Sequence, residues 1–368
     1  MGYVDKEQAS VDIKELYDRA ECSFKEFKTS EYVQKRLKEM GLTDFKVVNT
    51  GIFGTIDVGK DKTVAVRSDM DALPYNEEGT EYRHLCGHHA NMTTLLGILG
   101  AVVKNKTKLK YNLRYIFQPA EELVRGSVSM IEAGCMEGVS EVFGTHTSPD
   151  AELGSVILFS GGCMAGSYHF DITIRGKATH AAMPNRGTDT VTAACEFIMS
   201  MQTAITRLID PTLPGLISFG KINGGTAANI LPEEVRISGT YRYFDEEVKS
   251  TIENAMCTRL KSVEDFYNVK ADLEIHEGTP PVICDVDITR KLKTVCEQQN
   301  IPVSPFDHKT MGGEDFAYYL KYAPGGYVWQ GIRKGDLYSA PFHSKNYTVP
   351  EDAVYPCINL FAAYLLEG

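Results

Sequence analysis

The sequence predicts an α/β protein of two parts: a three-layer α/β domain, and a smaller α+β domain inserted into it. Three observations carry this expectation. Strand-like and helix-like segments alternate between residues 63 and 145, which implies parallel pairing with helices on both faces of a sheet. Near residue 164 the texture changes to a β-α-β-β-α order, which suits a small antiparallel sheet with helices on one face. The chain has 368 residues, 43% hydrophobic and 24% charged, enough for two or three domains and a large core.

Taken in order, residues 8–41 read as two helices. Thr29 or Ser30 caps the second, Tyr32, Val33, Leu37 and Met40 form its apolar side, and Gly41 ends it. Residues 63–67 form a short strand rich in β-branched side chains, and residues 92–103 carry apolar residues at helical spacing. Leu109, Tyr111, Leu113, Tyr115 and Phe117 alternate with Lys110, Asn112 and Arg114, a strand pattern. Residues 122–136 look helical, and 142–145 make another strand. In the insert, 168–175 alternates as a strand, 188–208 is a long helix, 216–222 and 234–244 are strands, and a helix from 245 to 261 closes the block. Strand character resumes at 270–275, and an apolar helix, 353–366, ends the sequence. The expected domains are 1–165 with 269–368, and the insert 166–268.

The net charge of −11 argues against a general nucleic-acid surface, which needs a clustered basic face. No segment approaches the ~18 apolar residues of a membrane span. Nine cysteines, odd in number and scattered without a CxxC pair, argue against a disulfide framework and for a reducing compartment. The N-terminus lacks the basic and apolar regions of a signal peptide, so a cytoplasmic location is expected.

The chemistry-bearing residues cluster after strands. Asp69 and Asp71 follow the 63–67 strand, and Cys86 and His88 lie in the loop that opens the next helix. Glu121 and Glu122 follow the strand ending at Phe117, and His146 ends the 142–145 strand. Ligands bind beyond the carboxyl ends of strands in open α/β sheets, so these segments can converge on one site. Each has a plain alternative: a chance Cys-Gly-His, solvated glutamates at a helix start, a satisfied polar histidine, aspartates capping a turn. Their occurrence together at equivalent topological positions favours a metal centre.

Ordered motifs then resemble a known family. Arg67-Ser68-Asp69-Met70-Asp71-Ala72-Leu73-Pro74, His84-Leu85-Cys86-Gly87-His88 and Gln118-Pro119-Ala120-Glu121-Glu122 resemble the M20 metallopeptidases. The similarity is to the amidohydrolase branch, with its aminoacylases, hippurate hydrolase and auxin-conjugate hydrolases. Gly176-Lys177-Ala178-Thr179-His180-Ala181, Asn229-Ile230-Leu231-Pro232-Glu233, Gly312-Gly313-Glu314-Asp315-Phe316 and Pro341-Phe342-His343-Ser344 extend the match over nearly the whole chain. The resemblance implies a zinc-peptidase-like catalytic domain with a ferredoxin-like lid and dimerisation domain. It also implies two divalent cations, zinc or manganese, with cobalt and nickel within the range of such a site. Cys86 would bridge them, with His88, Glu122, His146 and His343 as the other ligands and Glu121 as general base.

Asp71, His89 and Glu314 are candidates to orient the ligands. His180 matches the lid histidine that reaches into a partner's site to stabilise the oxyanion, and Asn229 and Arg242 match the pair that binds a substrate carboxylate. Independently, Arg236, Ser238, Thr240 and Arg242 share one strand face, opposite Val235, Ile237 and Tyr241. The sequence departs from the family at His89 and Asn91, where aspartate and histidine are usual, at Asn185, and in a short loop between Asp71 and Cys86. The expected activity is hydrolysis of N-acyl amino acids or related amides, in a homodimer acting on a small substrate with a free carboxylate. A metallo-dipeptidase and a catalytically silent binding protein are the alternatives.

Overall fold

The computed structural model describes residues 2–305 and 309–367. The chain divides into two compact units: Met1–Cys163, Val282–His308 and Asp315–Gly368 form one, and Met164–Pro281 with Lys309–Glu314 form the other.

The first unit is built on a seven-stranded sheet. Its order is Phe45–Val48, Gly51–Ile56, Asn112–Gln118, Thr63–Asp69, Val139–Glu152, Gly325–Arg333 and Val156–Leu158. Parallel pairing holds at the centre, where Thr63–Asp69 lies between Asn112–Gln118 and Val139–Glu152, and between the latter and Gly325–Arg333. The expected parallel pairing holds there, and the outer pairs are antiparallel, so the sheet is mixed. The central strands are buried on both faces, which explains their near-continuous apolar character. Helices His88–Lys104 and Tyr355–Glu367 pack together in this core, and each fully buried Leu, Ile or Phe they supply contributes about 1.5–3 kcal/mol.

The second unit is a four-stranded antiparallel sheet in the order Gly215–Gly224, Glu234–Tyr243, Gly166–Arg175, Lys270–Ile275. Helices Thr190–Leu208 and Glu246–Tyr267 cover one face. Phe170, Ile172, Ile174, Val235, Ile237 and Tyr241 meet Phe197, Met201, Ile252 and Met256 there.

Several expected boundaries shift. Lys270–Ile275 pairs with Gly166–Arg175, so the insert runs to Pro281 and does not close at 268. Thr29 and Ser30 lie inside the Phe27–Glu39 helix, whose N-cap is Glu26. The expected helix over 122–136 is broken into a 3₁₀ turn, Glu121–Leu123, and a short helix, Gly126–Glu132, because Val124 adopts a left-handed φ of 58°. The strand bearing His146 continues to Glu152, since pairing with Gly325–Arg333 carries it on.

Candidate metal centre

Three backbone features of the first unit place the donors. The Thr63–Asp69 strand pairs with Val139–Glu152 only as far as Arg67 opposite Gly144. Two residues later, His146 keeps Trp329 as a neighbour on one side, and on the other it lies beyond the last residue paired with the Thr63–Asp69 strand. Gly87, with φ 89°, starts the His88–Lys104 helix, and a Cβ there would lie 2.3 Å from Thr147 Oγ1. Glycine is therefore required between Cys86 and His88. Finally, Glu121 and Glu122 sit in a tight turn between Ala120 (φ 51°) and Val124 (φ 58°). Non-glycine residues in that region each cost about 1–3 kcal/mol and persist where the surroundings over-determine them.

The donors meet as three groups whose ligand atoms all lie within 4.8 Å of one another: Cys86, His88 and His146; Cys86, Glu122 and His343; His88, Glu121 and Glu122. Cys86 belongs to two of them. Its Sγ lies 3.4 Å from His146 Nε2, and Glu122 Oε1 lies 3.9 Å from His88 Nε2 and 3.8 Å from His343 Nε2. Each buried imidazole is oriented from behind. His88 Nδ1 is 2.9 Å from the Asp71 carbonyl and 3.3 Å from Asp71 Oδ1. His146 Nδ1 is 2.9 Å from the Thr147 carbonyl. A ring that donates through Nδ1 presents the Nε2 lone pair, as a metal ligand must. The His343 side chain is 56% exposed, while its amide donates to the Leu85 carbonyl at 2.9 Å.

The donor set suits a divalent cation. His88 Nε2 is buried with no hydrogen-bond partner among the described residues. Burial pushes the Cys86 thiol well above its ordinary range, and a nearby cation is what restores thiolate character in such a place. Burial opposes charge on His88, yet the Asp69 carboxylate and Asp71 more than offset it and hold its pKa well up.

Behind the donors lies a buried polar network. Arg67, fully buried, bonds Gln118 Oε1 at 2.7 Å, Asp69 Oδ2 at 2.8 Å and Asp315 Oδ1 at 2.7 Å. Asn91 Nδ2 donates to Asp69 Oδ1 at 2.9 Å. Asp71 Oδ2 accepts from Ser23 Oγ at 2.7 Å and from the Glu122 amide at 3.1 Å. His89 is buried, its ring 5.1 Å from Tyr17 and 5.2 Å from His84, and burial drives its pKa well down.

The remaining sequence candidates lie in the second unit. His180 and Asn229 come together, both exposed, where Thr179–His180 pairs with Ile230–Leu231 and the Ala181 amide donates to the Asn229 carbonyl at 2.9 Å. The Arg242 guanidinium donates through Nε to Met311 O at 3.1 Å and through Nη1 to Tyr241 O at 3.1 Å and to Thr240. It is half-buried, and these bonds engage Nε and Nη1. Glu314 is buried. Sequence reading missed Glu26, a fully buried carboxylate bonded to the Ala120 amide 94 residues away. No local pattern announces so distant a pair.

Cation-binding donors grouped around a glutamate able to carry a proton equip a metal-dependent hydrolase. Comparison with known proteins agrees: the model of Peptidase family M20/M25/M40 matches residues 65–367. The chain belongs to this family. It is 34% identical over 351 residues to an N-acetyl-L-cysteine deacetylase of Bacillus subtilis, covering 93% of this chain and 83% of that protein. It is 32% identical over 380 residues to the IAA-amino acid hydrolase ILR1-like 4 of Arabidopsis thaliana, covering 96% and 85%. Among solved structures, a dinuclear metal binding peptidase of the M20 family from Bacillus subtilis superposes with a TM-score of 0.85 at 26% identity, covering 98% of both chains.

Proposed function

We propose that the chain hydrolyses the amide bond of N-acyl amino acids, releasing a carboxylate and a free amino acid. The observation that carries this is the membership of Cys86 in two donor groups, with Glu121 and Glu122 sharing a third with His88. The names of the two curated relatives, a deacetylase and an amino acid conjugate hydrolase, support the substrate class.

Cys86, His88, Glu122, His146 and His343 would hold two divalent cations. When bound, the cations polarise the amide carbonyl and acidify water. Glu121, buried beside the donors, takes the proton from the attacking water and hands it to the departing amine. Asp71 holds the His88 ring, and His89 and Glu314 support the donors from further out. His180 steadies the oxyanion, and Asn229 and Arg242 receive the substrate carboxylate. Thiolate and imidazole favour zinc, while the carboxylate also admits manganese, cobalt or nickel.

A homodimer through the insert fits the exposed Val191, Met199 and Leu208 on the Thr190–Leu208 helix and Ile222 on the edge strand. A cytoplasmic location fits nine free cysteines. No helix among the described residues is long and apolar enough to cross a membrane.

The test is amine release from a panel of N-acyl amino acids and dipeptides by zinc- or manganese-loaded protein. Chelator-sensitive release from the acyl substrates is expected, with Glu121→Gln lowering kcat by about 10²–10⁴-fold at unchanged metal content. Silence toward acyl substrates with cations bound, or cleavage of dipeptides alone, refutes the proposal.

A further inference from the structure

Glu26 occupies the N-cap position of the Phe27–Glu39 helix but caps nothing with its side chain. Glu21 does that work: its Oε2 accepts from the amides of Lys28 at 2.8 Å and Thr29 at 3.1 Å. The Glu26 carboxylate is thereby free to turn elsewhere. Its Oε1 accepts from the amides of Phe24 and Ala120, each at 2.9 Å, and its Oε2 accepts from the Thr50 hydroxyl. All three partners are donors, so the group acts as an acceptor at every contact. It is completely buried, and placing a carboxylate there costs far more than a helix start requires.

Its most distant partner, Ala120, is the left-handed residue immediately before Glu121. The turn is gripped on its other sides too. A Cβ at Gly51 would fall 2.6 Å from Pro119 Cδ, and one at Gly126 would fall 1.6 Å from Pro119 O. The loop that carries Glu26 also supplies Ser23, which bonds Asp71 Oδ2, the same oxygen that receives the Glu122 amide. The loop between the first two helices therefore contacts both the turn bearing the glutamates and the aspartate behind His88.

We infer that Glu26 is a positioning residue for this turn: by accepting the Ala120 amide it fixes the direction in which Glu121 leaves the backbone. The inference rests on Glu121 being the general base. Two variants separate reach from charge. Glu26→Gln keeps an oxygen at the right distance and loses the charge; Glu26→Asp keeps the charge and falls one methylene short.

Each fully metal-loaded variant is assayed for kcat and KM on the acylated substrate that the wild type cleaves. Amide hydrogen exchange is followed in parallel across residues 117–123. Positioning predicts that Glu26→Gln stays within about threefold of wild type in kcat, with exchange unchanged. It predicts that Glu26→Asp loses about 100-fold in kcat at near-constant KM, with faster exchange at Ala120. The reverse order, or an Asp variant as active as wild type, overturns the inference, since it would show that only buried charge matters. If the Asp variant does not fold, the Gln variant decides: more than tenfold loss of kcat or faster exchange at Ala120 overturns it. If the wild type cleaves no acyl substrate, the Glu121 reading falls, while the exchange data still decide whether Glu26 holds the turn.

Discussion

Gly87 shows how tightly a single position constrains the donors on either side of it. A side chain there meets two penalties at once, the left-handed φ of 89° and the Thr147 hydroxyl 2.3 Å from the new Cβ. Relief requires the Cys86–His88 backbone to shift, so Gly87→Ala is expected to weaken metal affinity by about tenfold or more, as read by competition with a chromogenic chelator. Unaltered affinity would mean the loop absorbs the change elsewhere. Asn91 makes a second residue-scale case. Its amide is the neutral partner of a buried aspartate, and Asn91→Ala strips Asp69 Oδ1 of that hydrogen bond. A loss of about 1.5–3 kcal/mol in urea unfolding is expected. At this scale the convergence of Cys86, His88, Glu122, His146 and His343 was legible from sequence, because few residue types suit a metal and most of these fell after strands. The surroundings of His89 and Asn91 were not, since which neighbour a buried polar group finds depends on packing between segments far apart in the chain.

Among secondary-structure elements, the strongest link is the Arg67 network. One guanidinium joins the Thr63–Asp69 strand to Gln118 at the end of the adjacent strand, and to Asp315 at the start of a 3₁₀ segment. Asp315 in turn accepts from the Ser127 amide at 3.0 Å, at the first turn of Gly126–Glu132. The strand that carries Asp69 and the two elements that flank the Glu121–Glu122 turn are thus linked through one charge. Arg67→Met leaves two buried carboxylates facing each other without it, and about 3–5 kcal/mol of destabilisation is expected in chemical denaturation. A smaller effect would show that both acids take up protons instead, and it would then grow with pH. Sequence periodicity found the strands that flank this network but ran a helix through 122–136. Apolar spacing there is helical. The left-handed Ala120 and Val124 are imposed by tertiary contacts, including the clamp on Pro119, and no local pattern encodes them.

For the whole molecule, the two units have separate hydrophobic cores, and the donors belong to one of them. The sequence reading recognised the insert but ended it one strand early. Lys270–Ile275 has strand character that suits either sheet, and only its register with Gly166–Arg175 assigns it. The division of donors has a thermodynamic consequence. A ligand that binds the folded state alone stabilises it by about 4 kcal/mol when present at 1,000 times its Kd, and only the structure that unfolds with the site feels that gain. Removing the cations with a chelator should therefore raise hydrogen exchange in the segments that hold the donors, 84–92, 117–126, 143–148 and 342–347. Exchange in the core strands of the insert, Gly166–Arg175 and Glu234–Tyr243, should stay as it was. Local protection is the proper readout, because a melting temperature would merge the two units into one number. If protection in the insert falls along with that of the donor segments, the units unfold as one cooperative body and the separate cores do not act separately. If neither responds, the cations are not held by Cys86, His88, Glu122, His146 and His343.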